Sequence, residues 1–489
     1  MENENFNKIN SNKKLYSELH RPQFHFSPPY GWTNDPNGLV YFEGEYHLFY
    51  QHNPDDINWG PMHWGHAVSK DMIHWENLPI ALEPDELGTI FSGTVVVDEK
   101  DTSGFFNGSA GLVAIFTHHG EYEQQSIAYS TDKGRTWVKY KGNPVISNDK
   151  SKAQKDFRDP KVFWYAPGNT WIMILGGGTF RIYKSGNLKD YELLSTPGVF
   201  EEFPDMFELC VDGNKDIKKW VLSLAGYGYY IGEFDGTDFV IESEYINADY
   251  GFSWQAAYIY NNLPDKDRCV WLAWMKDGSK APTYPWRCNM SIPRELSLKT
   301  CKYGLRMVQN PVSELEALRK NPFVLENIDL QPDVNVLAGL TKDIFEIEAE
   351  FEVGAECEFG IKVRKGDRQE TVIGYIPKNN SVFVDTLSSS DPAYEPLETS
   401  LSDNYYRQVG KNCIMAKMYQ AYYEPEDNLF RVRILVDSST VETFVGDGEI
   451  VFTNNIYPSE DSRGVEIYTK GHGIKLTSCK MYDITSIWL

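Results

Sequence analysis

The chain has 489 residues, which is enough for two to four domains of ordinary size. It carries 47 basic and 70 acidic side chains, and this net charge of −23 argues against a nucleic-acid partner because such a partner requires basic surface. Hydrophobic residues make up 41% of the chain, so global disorder is excluded, and no apolar run of about 18 residues is present that would span a membrane.

The first part of the chain alternates short aromatic and β-branched runs with turns rich in Gly, Asn, Asp and Pro. This pattern predicts β-strands rather than helices. Hairpins are predicted over residues 38–51, 163–175 and 207–224, and each has a glycine in its turn.

A second type of hairpin recurs between the first ones, with a strand, a polar turn and an aromatic residue on the return strand. The four aromatic residues are Trp75, Trp137, Tyr191 and Phe239. Their separations of roughly 50 to 60 residues correspond to one four-stranded propeller blade with its loops. Residues 130–137 (STDKGRTW) also match the S-x-D-x-G-x-T-W hairpin that is found in several propellers.

The repeats predict an all-β fold with two domains. The four repeats, and one more from the strands up to residue 298, predict a five-bladed β-propeller over residues 20–310, after an N-terminal extension at residues 1–19. Residues 311–335 are interpreted as a linker, which includes one short helix at residues 311–319 with Ser313 as its candidate N-cap.

Alternating apolar residues beyond the linker predict a C-terminal β-sandwich over residues 336–489. The predicted strands are residues 344–353, 359–363, 372–376, 430–436, 441–444 and 465–468. This part has no acid cluster, so we expect it to have a supporting or binding role. A homo-oligomer is expected to form through the sandwich domain.

Three acidic residues lie close to a proline at the start of predicted inner strands. Asp35 and Asp159 directly precede prolines, and Glu202 lies two residues before another. The first strand of each blade lines the central channel of a propeller, so equivalent starting positions meet at one end of it. The alternative is that these are ordinary turns at strand starts, where Asp and Pro are common.

Carboxylates that converge in this way are costly unless they bind a metal or carry out proton chemistry. Like charges raise one pKa, so one acid is protonated near neutral pH while another stays ionised. A glycosidase needs this pair, because one acid protonates the leaving oxygen and one carboxylate acts at the anomeric carbon. Arg158 is expected to help keep Asp159 ionised and to hold sugar hydroxyls.

Residues 32–38 (WTNDPNG) resemble the W-x-NDPNG signature of the family 32 glycoside hydrolases, which include invertases, levanases and exo-inulinases. The resemblance extends over nearly the whole chain, and NDPNG followed by RDP is very specific. The other matching motifs, in the family order, are residues 91–93 (FSG), 157–160 (FRDP), 202–205 (EFPD), 286–287 (WR), 291–296 (SIPREL) and 434–442 (ILVDSSTVE).

The family resemblance implies a role for each of the three acids. Asp35 would be the nucleophile, Glu202 the general acid/base, and Asp159 the residue that stabilises the transition state through fructose hydroxyls. Glu201 stays an alternative to Glu202 for the acid role. The residues that fall where family members line the fructose pocket are Asn34, Gln51, Trp59, Phe91, Ser92, Arg158 and Trp274. No cofactor is implied, and no metal ligand is assigned.

The resemblance implies a retaining hydrolase that releases terminal, non-reducing β-D-fructofuranosyl residues from sucrose, fructo-oligosaccharides or fructans through a covalent fructosyl-enzyme intermediate. Residues 59–67 and 282–287 resemble the exo-acting branch of the family. The alternatives are a fructosyltransferase that uses the same site and a non-catalytic fructan-binding propeller. A third alternative, an inverting glycosidase of arabinose or xylose polymers, is disfavoured by the NDPNG motif.

Three departures from the family pattern lie near the expected pocket and leave the preferred leaving group open. Phe203 replaces the usual Cys beside the acid/base. Residues 249–256 (DYGFSWQA) differ from the common DYGxDFYA, and residues 275–281 form a shorter segment that lacks a further Trp.

The polar N-terminus, residues 1–14, has no apolar signal region, and the seven cysteines form no CxxC pair. We therefore expect a cytoplasmic enzyme that acts on imported sucrose or short fructo-oligosaccharides, with a secreted enzyme as the alternative if a leader was removed. The expected partner is a carbohydrate substrate, with neither nucleic acid nor membrane.

Overall fold

The computed structural model describes residues 15–148, 156–277, 281–354, 357–394 and 417–488. Almost all regular structure in these ranges is β-strand, so the all-β prediction is confirmed. None of the helices found there has the length and apolar character that a bilayer crossing requires.

In the described residues of the first part of the chain, four sheets are formed by the following strands. They are β1 (Gly31–Phe42), β2 (Glu45–Asn53), β3 (His63–Ser69), β4 (Trp75–Leu82), β5 (Thr89–Asp98), β6 (Gly111–His119), β7 (Glu123–Ser130), β8 (Val138–Lys139), β9 (Arg158–Tyr165), β10 (Thr170–Gly176), β11 (Arg181–Ser185), β12 (Glu192–Ser195), β13 (Pro204–Val211), β14 (Asn214–Leu224), β15 (Gly228–Phe234), β16 (Phe239–Ile241), β17 (Ile246–Asn247), β18 (Gln255–Ile259), β19 (Cys269–Met275), β20 (Trp286–Arg287), β21 (Asn289–Met290), β22 (Arg294–Cys301) and β23 (Gly304–Pro311).

The second part of the chain contains the remaining strands and, among its described residues, three short 3-10 helices. The strands are β24 (Arg319–Leu330), β25 (Phe345–Glu352), β26 (Glu358–Lys365), β27 (Glu370–Ile376), β28 (Ser381–Ser388), β29 (Met418–Tyr422), β30 (Leu429–Val436), β31 (Thr440–Val445), β32 (Ile450–Asn455), β33 (Gly464–Lys470) and β34 (Ile474–Ile484), and the helices are Ser313–Leu318, Pro377–Asn379 and Glu426–Asn428.

Both types of predicted hairpin are present in the structure. The first type corresponds to β1–β2, β9–β10 and β13–β14, and the recurring type to β3–β4, β7–β8, β11–β12 and β15–β16. The S-x-D-x-G-x-T-W segment forms a tight turn, in which Ser130 Oγ donates to Asp132 Oδ1 at 2.8 Å and Trp137 Nε1 donates to the Gly134 carbonyl at 3.0 Å.

The first strands of the predicted blades form a closed ring. Strand β1 contacts β5, β5 contacts β9, β9 contacts β13, β13 contacts β18, and β18 contacts β1. This ring confirms a propeller-like architecture. The count of five blades stays a prediction, because one ten-stranded sheet contains the strands of both the fourth and the fifth predicted blade.

Gly38 of the NDPNG motif allows β1 to approach β5 closely. Its φ is +54°, and a Cβ atom there would lie only 2.7 Å from Val95 Cγ2 and 2.6 Å from Phe49 Cδ2. The neighbouring Asn37 accepts a hydrogen bond from the Gly93 amide at 3.1 Å. The end of the motif therefore joins the first two sheets beside the ring axis.

The second part of the chain forms a β-sandwich, as predicted. Its sheets have the orders β24-β34-β25-β30-β31-β32 and β29-β28-β27-β26-β33. Apolar side chains of both sheets, among them Ile347 and Phe359, share one core. All six predicted strands are present, and β24, β28, β29, β32 and β34 are additional to the prediction.

The helix predicted at residues 311–319 is wrong in type. A short 3-10 helix spans Ser313–Leu318, and Ser313 lies inside it without capping its start. This short helix needs no further length to be held in place, because Leu315 and Leu318 insert directly into a core shared by both parts of the chain. Strand β24, which pairs with β34, lies inside the predicted linker at residues 311–335.

A buried charged network joins the N-terminal segment, the propeller-like part and the sandwich. His25 Nδ1 contacts Asp437 Oδ2 at 2.8 Å, and its Nε2 contacts Glu442 Oε1 at 2.9 Å. Arg294 donates to Glu442 Oε2 at 3.2 Å and to Asp249 Oδ2 at 3.1 Å. Burial raises the pKa of Glu442, but Arg294 and His25 outweigh burial and lower that pKa to about 2.

Replacement of Glu442 by Ala should destabilise the protein strongly, because Arg294 would stay buried with one carboxylate fewer. We expect the free energy of unfolding, measured by urea titration at pH 7, to fall by about 3–5 kcal/mol. Glu326→Ala, an exposed site on β24, is the matched control and should change it by no more than about 0.5 kcal/mol. Equal losses in the two variants would contradict this account of the network.

Candidate active site

Bulges in the inner strands redirect the backbone at one end of the ring. In β1, β5, β9 and β18, two residues stand opposite a single residue of the neighbouring strand. The two-residue sides are Asn34–Asp35, Phe91–Ser92, Asp159–Pro160 and Ala256–Ala257. Bulges are common beside active sites because they redirect side chains. Five of the predicted site residues lie on these bulges.

One predicted acid, Asp159, and the residue that follows another, Phe203, have left-handed backbone. Asp159 has a φ of +64° and Phe203 has a φ of +51°. Both values lie in a backbone region that residues other than glycine rarely adopt. Each directly precedes a proline. When the two strands are aligned on these prolines, Phe203 is equivalent to Asp159, and Glu202 is equivalent to Arg158. The predicted equivalence of the three acids therefore holds only to within one residue. Strain of this kind is concentrated at functional sites.

Asp35 lies on the β1 bulge and accepts a hydrogen bond from Ser92 Oγ at 2.7 Å. Burial raises the pKa of Asp35 to about 6, and the charge of Glu202 adds to the rise, whereas the hydrogen bonds from Ser92 and Asn34 oppose it. Asp35 is thus ionised above a pH of about 6 and lies within the electrostatic field of Glu202.

Arg158 holds the other two acids together. Its guanidinium donates to Glu202 Oε2 at 3.0 Å, and its Nε lies 3.6 Å from Asp159 Oδ2. Asp156 and Glu123 also bind this guanidinium, at 2.6 and 3.3 Å. Burial raises the pKa of Asp159 well above its ordinary value, and Arg158 opposes the rise, as predicted, without outweighing it.

Aromatic side chains lie beside the acids. Trp32 Nε1 donates to Asn34 Oδ1 at 2.8 Å, and the ring of Trp32 meets that of the buried Trp274 edge to face, with centroids 6.1 Å apart. Trp59 is 58% exposed, and its ring lies 6.2 Å from that of Phe91. The aromatic side chains therefore extend from the acids to an exposed edge.

Gln51 is the single residue opposite the Asn34–Asp35 bulge. It is buried, and its Nε2 has no hydrogen-bond partner within the described part of the chain. The structure thus brings the polar members of the predicted pocket together at one end of the ring. Buried donors are usually paired, so an unpaired one beside the acids is suited to a polar ligand.

Sequence reasoning missed several residues that contact or influence Glu202. Gln255, at the start of β18, donates to Glu202 Oε1 at 3.4 Å. Lys276 is buried with its Nζ 4.8 Å from the centre of the Phe252 ring. Burial lowers the pKa of Lys276 to about 7, although the charge of Glu202 opposes this. Both residues lie in segments that depart from the family pattern, residues 249–256 and 275–281, and those departures were the available signal.

The sandwich supports the segments that depart from the family pattern. Asn455 of β32 donates its amide to Ser253 Oγ and its Nδ2 to the Lys276 carbonyl, both at 3.0 Å. Trp254 is buried and donates to the Gly226 carbonyl at 2.7 Å, so it is a core residue. The second part of the chain therefore holds two loops beside Glu202 in place.

A separate cavity of about 530 Å³ lies beyond the acids along the inner strands. Its lining includes Val96, Phe163, Glu208 and Asn261, but none of the predicted site residues. Glu208 is therefore distant from the acid cluster.

Comparison with known proteins identifies the family. Residues 25–311 match the model of the glycosyl hydrolases family 32 N-terminal domain, and residues 314–483 match that of the family 32 C-terminal domain. The chain belongs to glycosyl hydrolase family 32. The family predicted from the motifs is thus confirmed, whereas the predicted boundaries at residues 20–310 and 336–489 stay predictions.

Individual family 32 proteins resemble this chain over almost its whole length. A levanase of Bacillus subtilis is 45% identical over 98% of this chain and 72% of its own length. The crystal structure of an Aspergillus awamori exo-inulinase has a TM-score of 0.86 at 31% identity and covers 97% of this chain and 100% of its own. A fructofuranosidase of Schwanniomyces occidentalis complexed with fructose has a TM-score of 0.83 at 28% identity, with the same coverage. The chain is therefore a glycosidase of the β-fructofuranosidase type.

The raised pKa of Asp35 predicts the acid side of the activity profile. The carboxylate form is lost as the pH falls through about 6, so kcat/KM should fall about tenfold per pH unit below that value. Ser92→Ala removes a hydrogen bond that lowers this pKa, so the acid limb should move to higher pH. Ser478→Ala, in the sandwich, is the control and should leave the limb unchanged. A limb that stays in place in Ser92→Ala would show that Asp35 does not produce it.

Proposed function

We propose that this protein is an exo-acting β-fructofuranosidase that releases terminal fructose from fructans, fructo-oligosaccharides or sucrose with retention of configuration. The observation that carries the proposal is the convergence of Asp35, Asp159 and Glu202 at one end of the ring, with Arg158 between the last two. The levanase and exo-inulinase names of its relatives support fructans as the substrate class.

In the first step, the Asp35 carboxylate attacks the anomeric carbon, C2, of the terminal fructosyl unit. Glu202, in its acid form, protonates the leaving oxygen as the glycosidic bond breaks. A covalent fructosyl ester forms on Asp35, and Glu202 becomes a carboxylate. The guanidinium of Arg158, 3.0 Å from Glu202 Oε2, stabilises that new charge.

In the second step, Glu202 removes a proton from water, and the resulting nucleophile attacks C2 and breaks the ester to Asp35. Fructose leaves and both carboxyl groups return to their initial states. Asp159 binds fructose hydroxyls and stabilises the positive charge that develops on the ring.

The remaining predicted residues bind the fructosyl unit. Asn34, Gln51, Ser92 and Arg158 supply polar contacts, whereas Trp59, Phe91 and Trp274 supply apolar faces and exclude water. The unpaired Nε2 of Gln51 supports this assignment.

The alternatives from the sequence are not favoured. A non-catalytic fructan-binding propeller and a fructosyltransferase both fit the comparisons less well, because the relatives named above are hydrolases. A cytoplasmic location and a homo-oligomer formed through the sandwich stay predictions.

Hydrolysis of sucrose, 1-kestose, inulin, levan and sucrose-6-phosphate tests the proposal. We expect free fructose as the product from chain ends, without release of longer oligosaccharides. Asp35→Ala and Glu202→Ala should each lower kcat/KM at least about a thousandfold, because each residue takes part in both steps. Product chromatography at high sucrose separates hydrolysis from transfer.

Glu208→Ala, at the distant cavity, is the matched control and should keep wild-type activity. Glu201→Ala should retain most activity, because the acid role is assigned to Glu202. Near-full activity in Asp35→Ala would contradict the mechanism, and near-full activity in Glu202→Ala would move the acid role to Glu201.

A further inference from the structure

A buried ion pair lies beneath the acids. Lys161 of β9 follows Asp159 by two residues, and Asp205 of β13 follows Glu202 by three. Lys161 Nζ lies 3.2 Å from Asp205 Oδ2, and both side chains are only 1% exposed. The pair therefore joins β9 and β13 just after Asp159 and Glu202, respectively.

The same two side chains also bind the third inner strand through one residue, Ile259 of β18. Lys161 donates to the Ile259 carbonyl at 2.8 Å, and the Ile259 amide donates to Asp205 Oδ2 at 2.8 Å. Three adjacent strands of the ring are thus held at fixed separations by one charged cluster. Hydrogen bonds to charged groups are stronger than neutral ones, which makes this connection stiff.

Tyr258 transmits this arrangement to Asp159. Its ring lies 4.8 Å from Lys161 Nζ, and its hydroxyl donates to the Asp159 carbonyl at 3.3 Å. Tyr258 therefore contacts the residue whose backbone is left-handed, a conformation that persists only where the surrounding structure holds it.

Phe203 transmits the arrangement to Glu202. Its ring stacks on that of Tyr258, with centroids 3.8 Å apart and planes inclined by 21°. Its amide donates to Asp159 Oδ2 at 3.2 Å, and Glu202 directly precedes it in the chain. Asp159 is thus connected to the ion pair through Tyr258, and Glu202 is connected to it through Phe203 and Tyr258.

We propose that Lys161 and Asp205 form a positioning pair that fixes the separation and orientation of Asp159 and Glu202 for the transition state. The inference rests on the proposed function. The two residues do not touch the substrate, and they act through Tyr258 and Phe203. A misplacement of about 1 Å caused by a residue away from the chemistry can lower a rate about a hundredfold.

The energetics of burial agree with a positioning role. A buried ion pair seldom stabilises a protein more than apolar residues of the same volume would, because both charges lose their hydration. The pair instead fixes the positions of the groups that it joins, because charged hydrogen bonds tolerate little displacement. A buried pair that joins three strands beside two acids therefore indicates that the site needs a fixed geometry more than it needs added stability.

Steady-state kinetics of Lys161→Met and Asp205→Asn on 1-kestose tests the inference. We expect kcat to fall at least about tenfold while KM changes less than about threefold, since the lost alignment affects the transition state more than binding. Lys161→Arg retains the charge and should recover part of kcat. The measurements belong at a temperature where circular dichroism shows each variant to be folded.

The matched control is Glu346→Gln, which breaks an ion pair between a buried carboxylate and a partly buried arginine. Arg319 Nε donates to Glu346 Oε2 at 2.7 Å within the sandwich, far from the acids. This variant should lose stability but keep wild-type kcat. An equal loss of kcat in Glu346→Gln and Lys161→Met would overturn the inference, because it would show that broken ion pairs act through stability alone.

If neither Lys161→Met nor Asp205→Asn folds, Tyr258→Phe tests the inference. It keeps the stack on Phe203 and removes only the hydroxyl that binds Asp159, so a selective fall in kcat supports the inference and an unchanged kcat overturns it. Wild-type kcat in folded Lys161→Met and Asp205→Asn would also overturn it. Absence of fructose release by the wild-type protein would instead contradict the proposed function.

Discussion

The convergence of three carboxyl groups at one end of the ring is the constraint on which the site depends. Burial raises the pKa of Asp35 and Asp159, and the charge of Glu202 raises both further. Arg158 contacts Glu202 and Asp159 but not Asp35, so the compensation is unequal. Asp35, with a pKa of about 6, is thus a carboxylate near neutral pH, as a nucleophile must be.

The fold creates this constraint through its backbone rather than through flexible side chains. Bulges in four inner strands, together with left-handed backbone at Asp159 and Phe203, direct the acids to one end of the ring. The sandwich then holds the neighbouring loops through Asn455, and a buried network around Glu442 fixes the two parts of the chain together. The second domain therefore supports the loops beside a site whose acids lie in the first.

Local patterns in the sequence predicted most of the fold and the members of the acid cluster. Hairpins, aromatic spacing and acid–proline steps are local features, and the structure contains them at the expected places. The offset of Glu202 by one residue, the influence of Lys276 and the Lys161–Asp205 pair were not predictable, because each depends on contacts between strands distant in sequence. Strand β24 was hidden by its mixed polarity, and the 3-10 turn at Ser313 by the weakness of a six-residue helical signal.

Trapping of the covalent intermediate tests the central claim, that Asp35 is the nucleophile. Glu202→Ala would be mixed with β-D-fructofuranosyl fluoride, whose leaving group needs no proton, then quenched in acid and digested for peptide mass spectrometry. We expect one fructosyl unit on the peptide that contains Asp35 and none in the variant that also carries Asp35→Ala. Consumption of the fluoride without an adduct, or an adduct on Asp159, would contradict the account.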